Sequence, residues 1–253
     1  MFQMMNNPLR NLKVMMAYRG TAYHGYQIQN NGITVQEVVQ KAVSKVLNES
    51  VTIHGCSRTD TGVHAKNFCF SVQTHSNISN LGFVRGVNGE LPKDISILSC
   101  EDAPLDFHAR FSCQGKEYLY LIHNSECKDP FTIDLAYHYR RPFHPELVRE
   151  AMPYFLGTQD FRAFCASGYA PEINTVRTIH SFQLETEQDK IKFYIQGDGF
   201  LYNMVRIIIG TLMDVNESRI PVSQIPEILH ARNRLSAGRT APACGLYLNR
   251  IFY

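Results

Sequence analysis

The chain has 253 residues, 44% of them hydrophobic, 11% aromatic and 19% charged, which suits a globular protein and excludes a disordered or low-complexity one. The formal net charge is only +2, so bulk charge does not single out a nucleic-acid binder, although arginine outnumbers lysine by 16 to 9 and favours forked contacts to phosphate or carboxylate. Seven cysteines, with no pair at CxxC spacing, suggest neither a disulfide framework nor a zinc site.

The opening segment MFQMMNNPLRNLK lacks an apolar stretch of signal-peptide length. No run in the chain approaches the roughly 20 apolar residues that span a bilayer. The expectation is a soluble, cytoplasmic protein.

Residues 12–18 (LKVMMAY) read as a strand, followed by a loop with Gly20 and Gly25. Thr34 opens a helix, with Glu37 as its capping-box partner and Val35, Val38, Val39, Ala42, Val43, Val46 and Leu47 at helical spacing. Residues 51–55 (VTIHG) and 66–74, where Phe68, Phe70 and Val72 alternate, read as two strands flanking the loop that holds Asp60. A helix near 80–90 and strands near 95–101 and 115–123 follow. The second half mixes the same ingredients: a helix over 145–155, strands near 177–186 and 190–197, an apolar helix over 200–213, a shorter one over 222–230 and a terminal strand LYLNRIF. The expected fold class is α+β, with two mixed, mainly antiparallel sheet halves and helices packed on one face. The halves are residues 1–124 and 145–253, joined by a connection over 125–144.

Three places carry chemistry. The first is Asp60, within Cys56-Ser57-Arg58-Thr59-Asp60-Thr61-Gly62-Val63-His64-Ala65. An isolated Asp-x-Gly is more often an Asx-type turn, and a carboxylate exposed beside Arg58 would be a weak ion pair. A loop held by a sheet is nevertheless a common place for a catalytic group. The second is Arg206, the single charge in the apolar run Phe200 to Leu212. Such a guanidinium either snorkels to the surface or finds a carboxylate, because a buried unpaired charge is very costly. The third is the pair Tyr118 and Tyr120 on one face of a strand, preceded by Phe107-His108-Ala109-Arg110-Phe111, where aromatic and basic groups interleave. No HExxH, GxSxG, GxxxxGK[ST] or post-strand GxGxxG occurs, so neither a metal centre nor a nucleotide cofactor is expected.

Taken together these segments resemble the TruA family of tRNA pseudouridine synthases. The resemblance runs in order through Tyr18-Arg19-Gly20 to Gly25-Tyr26-Gln27, Thr34 to Glu37, Ser57 to Ala65, Phe107 to Phe111, Lys116 to Tyr120, Asp160-Phe161 with Phe164, Val176 to Ile179, Gly197 to Leu212, and Thr240-Ala241-Pro242 with Gly245-Leu246. It implies a central RNA-binding cleft and isomerisation of uridine to pseudouridine in the anticodon stem-loop of tRNA, without a cofactor, by a homodimer whose subunits share each tRNA. It also implies roles for particular residues. Asp60 is the nucleophile, Tyr118 stacks on the base or moves a proton, and Arg206 pairs with Asp60. Arg58 takes the place of the flipped-out uridine, and Phe107, His108, Ala109, Arg110 and Phe111 contact tRNA. Attack at C1′, attack at C6 and passage through a glycal stay open.

Three residues depart from the family pattern: Ser57 stands where Gly is usual, Tyr26 where Trp is usual and Gln159 where His is usual. Tyr26 keeps an aromatic face, whereas Ser57 and Gln159 motivate one alternative, a tRNA-folding chaperone of the same fold with secondary or absent catalysis. Another is a hydrolase using Asp60 and His64.

Overall fold

The computed structural model describes residues 7–166 and 173–253, and its chain forms two compact units. One comprises Met1–Gln114 with Leu248–Tyr253, and the other Gly115–Tyr247. Both are α+β and mainly antiparallel.

In the first unit the strand order is β4-β1-β3-β10, formed by β4 (Ile95–Ala103), β1 (Arg10–Tyr18), β3 (His64–Thr74) and β10 (Leu246–Phe252). The alternation expected for β3 places Phe68, Phe70 and Val72 in the core, against Leu12, Val14 and Met16 of β1. The segment expected as a strand over 51–55 is shorter: only His54 and Gly55 (β2) pair, with Ser71 and Phe70. Helix α1 spans Val35–Leu47 and buries Val35, Val39, Ala42, Val43 and Leu47. Thr34 caps it by accepting from the Glu37 amide at 3.3 Å, while the Glu37 carboxylate turns away to Lys41 at 2.5 Å, so only one limb of the expected capping box forms. Helix α2 spans Asn80–Glu90 and is capped by Ser79.

In the second unit the order is β5-β9-β8-β7, from β5 (Gly115–Asn124), β9 (Lys190–Gly197), β8 (Val176–Glu187) and β7 (Gly157–Asp160), with β6 (Tyr137–Tyr139) parallel to β5. Helix α3 covers Pro145–Ala151 and tightens to a 3-10 turn over Met152–Phe155, where Pro153 has no N–H to continue the α-helical pattern. Helix α5 spans Ile225–Ala231, after a 3-10 turn at Val222–Gln224.

Helix α4 (Met204–Asn216) is the spine of this unit, and every residue in it except Arg206 is buried. It begins later than the apolar run, because Asn203 sits at φ 59° and ends the preceding turn in a left-handed conformation. Residues 238–241 lie along α4 as a strap. The Gly238 amide donates to Thr211 Oγ1 at 3.0 Å, the Arg239 amide to Asp214 Oδ2 at 3.0 Å and the Ala241 amide to the Arg206 carbonyl at 3.0 Å. The approach is close enough to require glycine at 210, since a Cβ there would stand 1.8 Å from the Arg239 carbonyl oxygen.

The C-terminal end of α4 is held by charge. The Glu217 side chain, 4% exposed, pairs with Arg141, Arg239 and, at 2.9 Å, Arg219. Burial pulls its carboxyl pKa up, but the Arg239 hydrogen bond and the three positive charges outweigh that and hold it below the usual carboxylate range. Among the described residues no helix is long and apolar enough to cross a membrane.

Two outcomes follow from this strap. Gly210→Ala forces a methyl group against the Arg239 carbonyl and is expected to cost about 1–3 kcal/mol, the range for overpacking, read as a lower denaturation midpoint with unchanged denaturant slope. The Glu217 cluster contributes stability that is fully present above the ordinary carboxyl value of 4.5 and is lost as pH falls through the lowered folded value. Glu217→Gln is therefore expected to lower stability at neutral pH and to flatten its acid dependence, as measured by urea denaturation between pH 7 and 3.

Candidate active site

The loop carrying Asp60 joins β2 to β3, and it is fixed mainly through backbone. Tyr26 N donates to the Thr59 carbonyl at 3.1 Å, and Val63 N donates to the Asp60 carbonyl at 3.1 Å. The Tyr18 hydroxyl meets Thr59 Oγ1 at 2.9 Å. Gly25 adopts φ 81°, and a side chain there would meet the Thr59 carbonyl oxygen at 2.6 Å. The same residues hold the start of α1, since Val35 N donates to the Gly25 carbonyl and Gln36 N to that of Tyr26. Helix start and loop are thus parts of one rigid construction. It leaves Thr59 buried, Asp60 half-buried and Arg58 exposed.

His64, four residues past Asp60, is fully buried, and its Nδ1 accepts from Gly20 N at 3.0 Å. That bond gives the ring a structural task in pinning the 20–26 segment to β3. Tyr26 packs its ring on Phe68 with centroids 4.3 Å apart. Its buried hydroxyl has no hydrogen-bond partner among the described residues, and burial raises its pKa well above the ordinary value.

The stretch 107–111 follows β4 in the same unit. Phe107 lies edge-on to Tyr253 with centroids 5.1 Å apart, and the Lys13 ammonium sits 5.8 Å from the Phe107 ring centre. Ala109 is buried, donating its amide to Ser71 Oγ and accepting from the Tyr253 hydroxyl at 2.8 Å. With Ala109 anchored, Arg110 and Phe111 are left on the surface, Phe111 77% exposed. His108, Arg110 and Phe111 then line a cleft of about 190 Å³ together with Arg58, Ser57 and His54. The structure thus gathers Arg58 and the 108–111 segment beside the loop of Asp60.

Tyr118 and Arg206 belong to the second unit. Tyr118 is buried on β5 and meets Phe200 edge-on at 5.2 Å. Tyr120, on the same strand face, is fully buried and spends its hydroxyl on the Pro242 carbonyl at 2.7 Å. Arg206 is half-buried, donating from Nε to the Ala241 carbonyl at 2.8 Å and from Nη1 to Asn203 Oδ1 at 2.7 Å. Gln159 donates to the carbonyls of Tyr154 and Leu156, a backbone-bracing role.

Sequence reasoning passed over His54, Asn203 and Ala241. His54 looked like an ordinary strand residue. Asn203 looked like part of the apolar helix, although an Asn directly before Met204 is itself a helix-start signal. Ala241 acts through its carbonyl, for which no side-chain signal exists. Among the described residues no group of three or more His, Cys, Asp or Glu is arranged to hold a metal ion.

The chain matches a family model described as tRNA pseudouridine synthase over residues 14–112 and 151–253. It is 45% identical over 245 residues to tRNA pseudouridine synthase A of Acetivibrio thermocellus, covering 97% of this chain and 100% of that protein. It is 43% identical over the same shares to tRNA pseudouridine synthase A 2 of Clostridium perfringens. Among solved structures, a crystal structure of a Cbf5-Nop10-Gar1 complex aligns with 94% of this chain and 48% of its own, at 13% identity and a TM-score of 0.39. With a family match that reaches into both units and relatives covered from end to end, the chain belongs to the tRNA pseudouridine synthase family.

Proposed function

We propose that this chain isomerises selected uridines to pseudouridine in the anticodon stem-loop of tRNA, with Asp60 as the nucleophilic carboxylate. The observation that carries this reading is the Asp60 loop itself, held by backbone bonds from Tyr26 and Val63 and by the close approach of Gly25. Such bracing fixes a carboxylate before substrate arrives, which is what a positioned nucleophile needs.

The reaction breaks the C1′–N1 bond, turns the uracil and joins C1′ to C5. C5 gives up a proton and N1 gains one. Nothing is oxidised or reduced and no atom leaves, so the balance calls for no redox cofactor. The target base has to leave the RNA stack, at a cost of a few kcal/mol. Arg58, exposed beside the loop, is suited to slide its planar guanidinium into the vacated gap. His108, Arg110 and Phe111 contact the tRNA, with Arg110 meeting phosphate, while the buried Ala109 anchors the segment that presents them.

Asp60 has to remain ionised to attack, and a nearby guanidinium favours that form. We assign this part to Arg206, whose orientation is set by Ala241 and Asn203. Tyr118 is assigned to stack on the uracil and take part in transfer of the C5 proton. The working form is a cytoplasmic homodimer in which each tRNA touches both copies.

Asp60→Ala is expected to abolish pseudouridine formation, lowering turnover at least about 10³-fold while tRNA binding persists. Site-resolved pseudouridine mapping and a filter-binding assay on the same preparations check both halves. An equal blank from wild type and variant would remove the enzymatic reading, and RNA cleavage would replace it with the hydrolase. Arg206→Lys keeps charge but loses the fork, and is expected to lower kcat about 10²-fold, measured by tritium release from C5-labelled tRNA with folding followed by circular dichroism.

A further inference from the structure

The cleft beside Arg58 has a construction that nucleophilic chemistry at Asp60 does not use. Its walls come from β2, the 107–111 segment, Gln27 in the loop before α1 and Gln36 in the first turn of that helix. Three rings stand in sequence across it: His54 and His108 with centroids 5.0 Å apart and interplanar angle 35°, then His108 and Phe111 at 4.4 Å and 35°. The middle ring is locked. The amides of Arg110 and Phe111 both point at His108 Nδ1, at 3.1 and 3.4 Å, so Nδ1 serves as acceptor and the ring proton sits on Nε2. His108 is therefore held as a flat, neutral ring, suited to stacking.

At one end the ladder is open. Phe111 is 77% exposed, a large aromatic that folding does not bury, and the Arg110 guanidinium carbon lies 5.7 Å from its ring centre. An exposed aromatic next to a guanidinium, in a cleft wide enough for a small planar group, has the makings of a stacking platform for an unpaired base with a cation for its phosphate. The Gln27 amide on the wall carries both a donor and an acceptor for a base edge.

We infer that this cleft is a subsite for one unpaired nucleotide flanking the target uridine, its base stacked on the Phe111–His108–His54 ladder and its phosphate met by Arg110. The inference rests on the reading of Asp60 as catalytic in RNA, because it is Arg58, two residues from Asp60, that joins the cleft to the catalytic loop. A nucleotide held here anchors the strand next to the target, so that the target's own binding energy is not spent on keeping it out of the stack.

The test uses the full-length protein and anticodon stem-loop RNAs in which one flanking position at a time carries 2-aminopurine, or is abasic. One flanking position is expected to change its 2-aminopurine fluorescence on binding, and the change is lost in Phe111→Ala and kept in Phe111→Tyr. Removing that base is expected to weaken binding to wild type about ten-fold, the scale of one base–aromatic stack, and to weaken binding to Phe111→Ala no further. Phe111 is exposed, so its replacement leaves folding intact, and His54→Ala on the short strand β2 gives a second probe of the ladder with a smaller loss. If no flanking position couples to Phe111, the subsite is wrong. Pseudouridine is mapped in parallel on the unsubstituted RNA. Its absence with wild type would count against the catalytic reading, whereas the fluorescence and affinity readouts decide the subsite without turnover.

Discussion

A guanidinium in the middle of an apolar helix constrains much of the second unit. Arg206 interrupts a run that is otherwise buried from Met204 to Asn216, and its charge has to be met by fixed acceptors. Two of these are supplied from outside the regular helix: the Asn203 side chain, from a residue bent into the left-handed region, and the Ala241 carbonyl, from a strap lying on the helix. The strap reaches that position because residue 210 has no side chain, and it stays there because Asp214, Thr211 and Glu217 take up its amides and Arg239. Helix, strap and charge cluster form one chain of requirements that ends at the orientation of a single side chain.

The first unit solves a similar problem with an acid. A carboxylate on a connecting loop would wander, and here the loop is pinned to the segment 20–26, which is also what starts helix α1. In both units the group of interest is placed by main-chain contacts from a segment distant in sequence, and glycine admits the contact. Rigidity of this kind has a cost, visible in the buried Tyr26 hydroxyl that has no hydrogen-bond partner among the described residues.

That division explains what could be read in advance. Amphipathic spacing and the Thr34 cap exposed α1, and alternation exposed β3, because those signals are local and repeat along the element. The late start of α4 was hidden, since an apolar run does not reveal that Asn203 has left the helical region. The helix expected over 145–155 ends as an α-helix at Ala151, because Pro153 cannot continue the α-helical hydrogen bonds. β2 shrank to two residues because only His54 and Gly55 find partners on β3, and partners are a tertiary fact. The site divides in the same way. Asp60, Arg58 and the 107–111 segment stood out as side-chain types in a compact motif. His54 and Asn203 act through a ring distance and a rotated backbone, and the part played by Ala241 is a carbonyl that every residue possesses.

The strand order of the first unit has a temporal meaning. β10 lies beside β3, and residues from Leu248 onward belong with the unit that begins the chain. Tyr253 reaches the Ala109 carbonyl, and the Phe252 carbonyl accepts from Gln114 N, so these late residues brace the segment that carries Arg110 and Phe111. During synthesis the Asp60 loop and helix α1 can settle early, yet the 107–111 segment lacks its support until the whole second unit has been translated. A nascent chain would therefore form the Asp60 loop before the 107–111 surface is braced.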